Sequence, residues 1–316
     1  MFGTELDHFV RSPDWTWYIL GYFFFAGISG GTYVLASLLR LRGDSADEPA
    51  ARLGYYVSFA ALVPCPVLLI LDLGRPLRFW HMMWNTTPDD TGLNFKYWSP
   101  MSVGVWALVV FGAFATIAFV EALVRDDKVR IGLARRAVRL LDGTFGRGVM
   151  VVGTAFGLFI AGYTGVLLAV SNQPVWSDTW TLGGVFLASA LSGSVAALTV
   201  LSRYRRGAEA SADALTLAER LYALLEAALI VLFVLTLIQT GSLDIVFGFP
   251  WLLLWLVAFA GLVPGLAGLL TARLAVTGNG IAVAVHSASA VRSVAVPTLV
   301  LLGVVSLRAA IIFSVQ

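Results

Sequence analysis

The sequence predicts an all-α integral membrane protein with eight transmembrane helices, N-out and C-out. Three observations carry that expectation. The first is composition. Of 316 residues, 59% are hydrophobic and only 13% are charged, with a mean hydropathy of +0.85. A soluble domain has roughly 45–50% apolar and about 25% charged residues, so too little polar surface exists to cover a globule of this size in water. That excludes an ordinary soluble enzyme, a disordered chain and a nucleic-acid-binding domain. The second is the recurrence of apolar stretches of about 20 residues, the length that crosses roughly 30 Å of hydrocarbon at 1.5 Å per residue. The third is the one-sided placement of Lys and Arg.

The spans fall at about 17–39, 54–72, 101–124, 149–170, 181–202, 220–240, 250–271 and 295–314 of a single polytopic domain over residues 1–316. The first follows an acidic start (Glu5, Asp7, Asp14). That start lacks the basic region and small-residue cleavage site of a signal peptide, so the span is read as retained. The second contains Pro64-Cys65-Pro66, which predicts a kink. The third opens with Ser99-Pro100, a capping residue followed by a proline at the first helical position. Between the third and fourth, Ile131–Leu141 places apolar and basic faces at helical spacing, the pattern of a helix lying on the membrane surface. Pro250, Pro264 and Pro297 open or interrupt the last spans, which neighbouring helices make tolerable.

Orientation follows from the connections. Those after spans 1, 3, 5 and 7 hold sixteen Lys and Arg residues, whereas the opposite side holds Arg11, Arg75, Arg78 and Lys96, with Arg308 inside span 8. The basic side is expected to face the cytoplasm. Residues 73–99 form the longest outward connection, and they keep Arg75, Arg78 and Lys96 there against the insertion bias, which singles that loop out for a partner or substrate.

The polar inventory narrows the chemistry. One cysteine, Cys65, excludes a disulfide within the chain and an all-cysteine metal or iron–sulfur site. The three histidines, His8, His81 and His286, all fall outside the spans. A bis-histidine haem inside the bilayer is therefore excluded, and no haem or metal is expected in this chain. A P-loop is absent. Electrons passing through such a chain would arrive from another subunit and leave on a diffusible carrier.

Four stretches then combine: Trp17 to Gly31 (WYILGYFFFAGISGG), Leu71 to Trp80 (LDLGRPLRFW), Trp98 to Trp106 (WSPMSVGVW), and Tyr163 through Pro174-Val175-Trp176 to the segment Phe186–Gly193. Together they resemble the polysulfide-reductase membrane-subunit family, the NrfD/PsrC type, over at least residues 15–200. The resemblance implies eight helices in two four-helix bundles of a bacterial or archaeal cell membrane. It implies a quinone or quinol (menaquinone or ubiquinone) bound near the outer face, and no haem. It also implies a four-cluster ferredoxin-like iron–sulfur subunit as partner, commonly with a molybdopterin catalytic subunit. Tyr163 matches the family's quinone-contacting tyrosine. Where that family carries an Asn and a His in span 1, aligning on the glycines places Ile19 and Tyr22. Tyrosine is a poor proton acceptor near neutral pH, since its ordinary pKa is about 10, and the expected acceptor moves to Asp72.

Depth along the helices collects candidates in the outer third: Asp72, Tyr22, Tyr163, Arg308 and Gln239. A quinone needs donors to its carbonyls and a nearby proton acceptor, which this set supplies. Asp72 and Tyr163 are the candidate catalytic pair, and Trp17, Tyr22, Gly27, Arg308 and Gln239 join Tyr163 as candidate quinone contacts. For Arg308 the possible acceptors are Asp72, Asp244 or a quinone carbonyl. Asp72 has a second reading, an ion pair with Arg75 or Arg78 that holds the loop. Gly27, Gly30 and Gly31 serve close helix packing or leave room for a flat ring. Arg75, Arg78 and Lys96 are candidates for docking the iron–sulfur subunit. Glu226, about eight residues into span 6 from the inner side, and Glu121 are candidates for a proton path, with an ordinary Glu121–Arg125 helix pair as the alternative. The leading expectation is a membrane subunit carrying a quinone site without a catalytic centre of its own. A secondary transporter with a central polar site and an anchor without quinone chemistry are its rivals.

Overall fold

The computed structural model describes the backbone of residues 13–277 and 290–316, with side chains up to 270 and from 294. Arg11, Arg273, Arg292, His8 and His286, used in the charge and ligand arguments above, lie outside the described side chains. Among the described residues, eight helical segments are long and apolar enough to cross a membrane. Their apolar surface turned outward, including Val109, Leu158, Val231, Leu256 and Leu302, has no protein to cover it. Backbone polar groups inside a bilayer must be satisfied within the segment, which leaves helices as the spanning form.

The helices are α1 (Trp17–Arg42), α2 (Glu48–Leu62), α3 (Pro64–Asp72), α4 (Pro100–Arg125), α5 (Gly132–Leu140), α6 (Thr144–Ala169), α7 (Leu182–Ser202), α8 (Ala212–Thr240), α9 (Leu243–Phe247), α10 (Trp251–Thr277) and α11 (Ala290–Phe313). The second span is the pair α2–α3, broken at Val63 just ahead of Pro64, as the Pro-Cys-Pro run predicts. Ser99 caps α4, its Oγ accepting from the Ser102 amide at 3.4 Å, with Pro100 next. α5 is the expected amphipathic segment. The sixth span begins at Ala212 rather than near 220, because polar Asp213, Thr216 and Glu219 continue the helix below its apolar stretch.

α1 packs against α2, α3 and α6, and α4 packs on α2 and α6; α7 packs against α8 and α11, and α10 packs on α8 and α11. These are the two four-helix sets that the resemblance implies, joined where α1 and α6 meet α7. Small residues make the joints close. A Cβ on Gly30 would stand 2.3 Å from the Gly157 carbonyl of α6, and one on Gly31 would stand 2.2 Å from Ser194 Oγ of α7. Gly30 and Gly31 therefore serve packing.

An even number of crossings brings both described chain ends to one end of the molecule, where the Trp17 and Phe313 rings lie 5.1 Å apart. This termini end carries the 73–99 connection. The connection is more ordered than its composition suggests, with a 3₁₀ segment (Pro76–Met82) and a hairpin of β1 (Trp84–Thr87) and β2 (Asp90–Leu93). The register pairs Thr87 with Asp90, so Pro88 and Asp89 form the turn, with Asp89 at a positive φ of 70°. The opposite, basic end carries α5 and the Arg-rich connections.

Candidate functional site

At the termini end, Thr16 caps α1, accepting from the Tyr18 amide, and its hydroxyl donates to Asp72 Oδ1 at 3.2 Å. Among the described residues Asp72 forms no ion pair with Arg75 or Arg78; its partner is Thr16. A cleft of about 400 Å³ opens beside it, lined by Pro13, Trp15, Thr16, Tyr18, Leu71 and Asp72. Tyr18 lies one helical turn above Tyr22 on α1, and Asp72 lies seven residues, about 10 Å, above Cys65 on the same face of α3. Deeper on α1, outside the lining of that cleft, is Tyr22, only 3% exposed, in the electrostatic neighbourhood of Cys65 and Tyr163. Tyr22 makes no hydrogen bond to any described residue.

Tyr163 is held differently. Its hydroxyl donates to the Pro100 carbonyl at 2.6 Å. Pro100 opens α4, and the ring lies over Gly104, where a Cβ would stand 2.1 Å from the hydroxyl oxygen. The single hydrogen of Tyr163 is thus committed, and its oxygen can act only as an acceptor toward a further group. Cys65 is buried, with its thiol turned back to the Ala61 carbonyl at 3.3 Å. It is a packed residue, not a reactive one.

The structure does not bring the other sequence candidates to this place. Trp17 is exposed and lines a separate groove of about 580 Å³ with Trp251, Leu254, Val305 and Phe313. Gln239 is exposed on α8 and makes no contact with the Tyr22–Tyr163 pair. Arg308 is completely buried between α11, α7 and α1. It donates through Nη1 to Ser189 Oγ at 2.7 Å and to the Val304 carbonyl at 3.3 Å, and through Nη2 to the Phe186 carbonyl at 3.2 Å. Its guanidinium lies over the Phe186 ring, 5.2 Å from the centroid. Neither Asp72 nor Asp244, two acceptors expected from sequence, is among its hydrogen-bond partners. The acid that shares its field is Glu226, beside Ser189 and Ser192. Glu226 sits fourteen residues from the Thr240 end of α8 and seven above Glu219, where the apolar stretch begins, which keeps it toward the basic end. Gly27 makes room for this arrangement, since a Cβ there would stand 3.0 Å from Arg308 Nη2. Ser189 and Ser192, three apart on α7, were missed as site residues. Their spacing on one face of a small-residue helix was the available signal.

At the basic end Glu121 accepts from Arg40 Nη1 through both oxygens at 3.0 Å and from Arg125 Nε at 2.7 Å. The expected Glu121–Arg125 pair is present, with Arg40 added from α1. Asp126 gathers Arg52 Nη1 (2.8 Å), Arg205 Nη2 (2.6 Å) and the Tyr56 hydroxyl (2.7 Å), which ties α2, the end of α4 and the connection after α7. Burial raises the Asp126 carboxyl, but the hydrogen bonds from Tyr56, Arg52 and Arg205 outweigh it and hold the group below the usual carboxylate range.

Sequence comparison places this architecture. The family model "Polysulphide reductase, NrfD" matches residues 7–316. The chain belongs to the NrfD polysulphide reductase family. Among relatives, it is 26% identical over 225 residues to the protein NrfD of Escherichia coli, 68% of this chain and 67% of that one. It is 26% identical over 188 residues to a polysulfide reductase component of Wolinella succinogenes, 57% of this chain and 56% of the relative. It is 22% identical over 241 residues to a selenate reductase component of Mesobacillus selenatarsenatis, 67% of this chain and 53% of the relative. The alignments thus span about two thirds of the first relative and about half of the other two. As an NrfD-family protein it is a multi-pass integral membrane protein of the kind that serves reductase complexes as a membrane subunit. No cluster of three or more His, Cys, Asp or Glu able to hold a metal occurs among the described residues.

Proposed function

We propose that the chain is the quinone-reactive membrane subunit of a respiratory oxidoreductase, exchanging electrons with an iron–sulfur subunit docked at the termini end. The observation that carries the reading is Tyr22, a nearly buried tyrosine whose hydroxyl has no hydrogen-bond partner among the described residues, in the electrostatic neighbourhood of Tyr163 and one helical turn below Tyr18 of the Asp72 cleft. A donor in the apolar interior with no protein partner is open to a ligand. The Asp72 cleft, whose volume lies within the roughly 300–1,000 Å³ of small-molecule sites, opens above the two tyrosines and is not lined by them; the tyrosines offer what a quinone or quinol head needs. Tyr22 donates to a carbonyl oxygen, and Tyr163, its proton already given to Pro100, accepts from a hydroxyl. A quinone would supply a two-electron, two-proton couple here. Asp72, at the mouth and restrained by Thr16, takes the proton toward the water at the termini end.

The docking surface is the 73–99 connection. Arg75, Arg78 and Lys96 are exposed there and form no ion pair with described residues. Around them Leu77 (88% exposed), Trp84, Leu93, Phe95, Tyr97 and Trp98 stand outward. Unpaired cations among exposed aromatics match the composition of protein interfaces, in which aromatic residues and Arg are enriched. An iron–sulfur subunit with an acidic face fits this patch, and a catalytic molybdopterin subunit would join through it. The termini end then faces outward and the basic end the cytoplasm, by the Lys and Arg distribution. The Arg308–Ser189–Glu226 group places ionisable side chains between that site and the basic end, which supports a proton path through Glu226. Glu121, saturated by two arginines, serves such a path less well.

The test is quinol turnover in the purified complex. Tyr22→Phe removes only the unpaired hydroxyl and is expected to lower turnover about tenfold or more while the subunits stay assembled. Unchanged turnover overturns the site.

A further inference from the structure

We infer that the cleft where α1, α2, α4 and α6 meet at the basic end is a binding site for an anionic phospholipid, with its phosphate at Arg147 and an ester carbonyl at Tyr33. This rests on no part of the quinone reading.

The cleft encloses about 460 Å³. Seven charged residues line it: Arg40, Arg52, Arg125 and Arg147, against Glu48, Glu121 and Asp142. The acids are already engaged. Glu48 accepts from Arg40 and Arg52, Glu121 from Arg40 and Arg125, and Asp142 from Arg125 at 2.7 Å. The cations Arg40, Arg52 and Arg125 are consumed by the same pairs. What remains is two unused donors. Arg147, in the first turn of α6 at the mouth, has no ion-pair partner among the described residues. Tyr33, only 2% exposed, lines the deep part of the cleft with its hydroxyl turned toward Gly153 of α6 and no hydrogen bond to a described residue. A cleft with spare donors and no spare carboxylate selects an anion.

The geometry selects a lipid anion. Gly153 lies six residues beyond Arg147, so Tyr33 contacts the cleft about 9 Å deeper than the Arg147 backbone. Ester carbonyls of a phospholipid lie deeper than its phosphate, in that order. The flank is apolar: Leu41 and Ile117 are exposed, and Val149 and Met150 are half-buried, which gives acyl chains a path along the outside of α4 and α6. Next to the mouth, α5 presents Arg135, Arg136 and Arg139 together with exposed Leu133 and Leu140, and exposed Ile131 and Phe145 flank it. Such an amphipathic helix rests at the boundary of headgroups and acyl chains, and so places the mouth at phosphate depth.

The experiment is titration of the purified full chain in mild detergent, read by thermal unfolding and by native mass spectrometry. The probes are phosphatidylglycerol, phosphatidylcholine and inorganic phosphate. Phosphatidylglycerol is expected to raise the unfolding temperature and to persist as a one-to-one adduct, with the other two weaker. Arg147→Gln is expected to weaken it about tenfold, the scale of one lost charge-assisted hydrogen bond, and Tyr33→Phe several-fold. Arg136→Gln, on α5 and outside the cleft, is expected to change it less than twofold. Equal binding of phosphatidylcholine, an equal effect of inorganic phosphate, or equal losses in the Arg136 and Arg147 variants each overturns the assignment.

Discussion

Gly104→Ala on α4 probes the Tyr163 setting from outside the ring. A Cβ at position 104 would stand 2.1 Å from the Tyr163 hydroxyl oxygen, 2.2 Å from Cζ and 2.4 Å from Cε1. Ordinary contact begins at 3.4 Å, so the hydroxyl must retreat by about 1.3 Å. That takes it out of hydrogen-bond range of the Pro100 carbonyl, now at 2.6 Å. Overpacking costs about 1–3 kcal/mol and the lost hydrogen bond about 0.5–1.5 kcal/mol, while alanine's helix preference returns up to about 1 kcal/mol. The net expectation is a loss of about 2 kcal/mol, measured by reversible unfolding in mixed micelles, with quinol turnover falling alongside. The cost exists only while the ring is there. In a Tyr163→Leu background, Gly104→Ala is expected to be neutral or stabilising. If the two substitutions add within about 0.5 kcal/mol, the usual tolerance for independent sites, the packing argument is refuted.

Three further outcomes follow from the geometry. Arg308→Met removes the donor to the buried Ser189 hydroxyl and Phe186 carbonyl and is expected to destabilise by about 1–3 kcal/mol, whereas the Arg308→Met/Glu226→Gln double variant, which also removes the acid in its field, should recover part of that loss; unfolding midpoints of the three proteins check it. The Asp126 carboxyl lies below its ordinary range in the folded chain, so its contribution is present at neutral pH and is lost as pH falls below the ordinary carboxylate range and through the lowered folded-state value. Asp126→Asn should therefore flatten the acid limb of a stability–pH profile, and an unchanged limb would contradict the three-donor arrangement. Replacing Arg75 and Arg78 together with Ala is expected to release the iron–sulfur subunit in a pull-down while the membrane chain stays inserted.

Much of the fold was legible because a bilayer punishes any other solution. The eight spans, the Pro64 break, the Ser99 cap and the α5 surface helix each follow from local chemistry. The β1–β2 hairpin was not foreseen, although Thr87-Pro88-Asp89-Asp90 is a turn sequence; attention to the cations of that loop hid it. The site was half legible. Tyr22, Tyr163 and Asp72 share one end because residue counts along helices fix depth. Depth says nothing about azimuth, and that is where the expected five-member cluster fails. Gln239 points away from the others, and Arg308 turns toward Ser189 and Glu226 on helices that sequence spacing alone does not bring together. Gly27 shows the same gap: the need for a small residue was readable, but the guanidinium that occupies the space was not.

The most direct measurement is photolabelling of the purified complex with an azidoquinone, followed by mass mapping of the modified peptides. The expected result is label on α1 around Tyr22 and on α6 around Tyr163, displaced by excess native quinone and lost in Tyr22→Phe. Displaceable label confined to the Trp17–Trp251–Phe313 groove, or none that native quinone displaces, would contradict a quinone site at the two tyrosines.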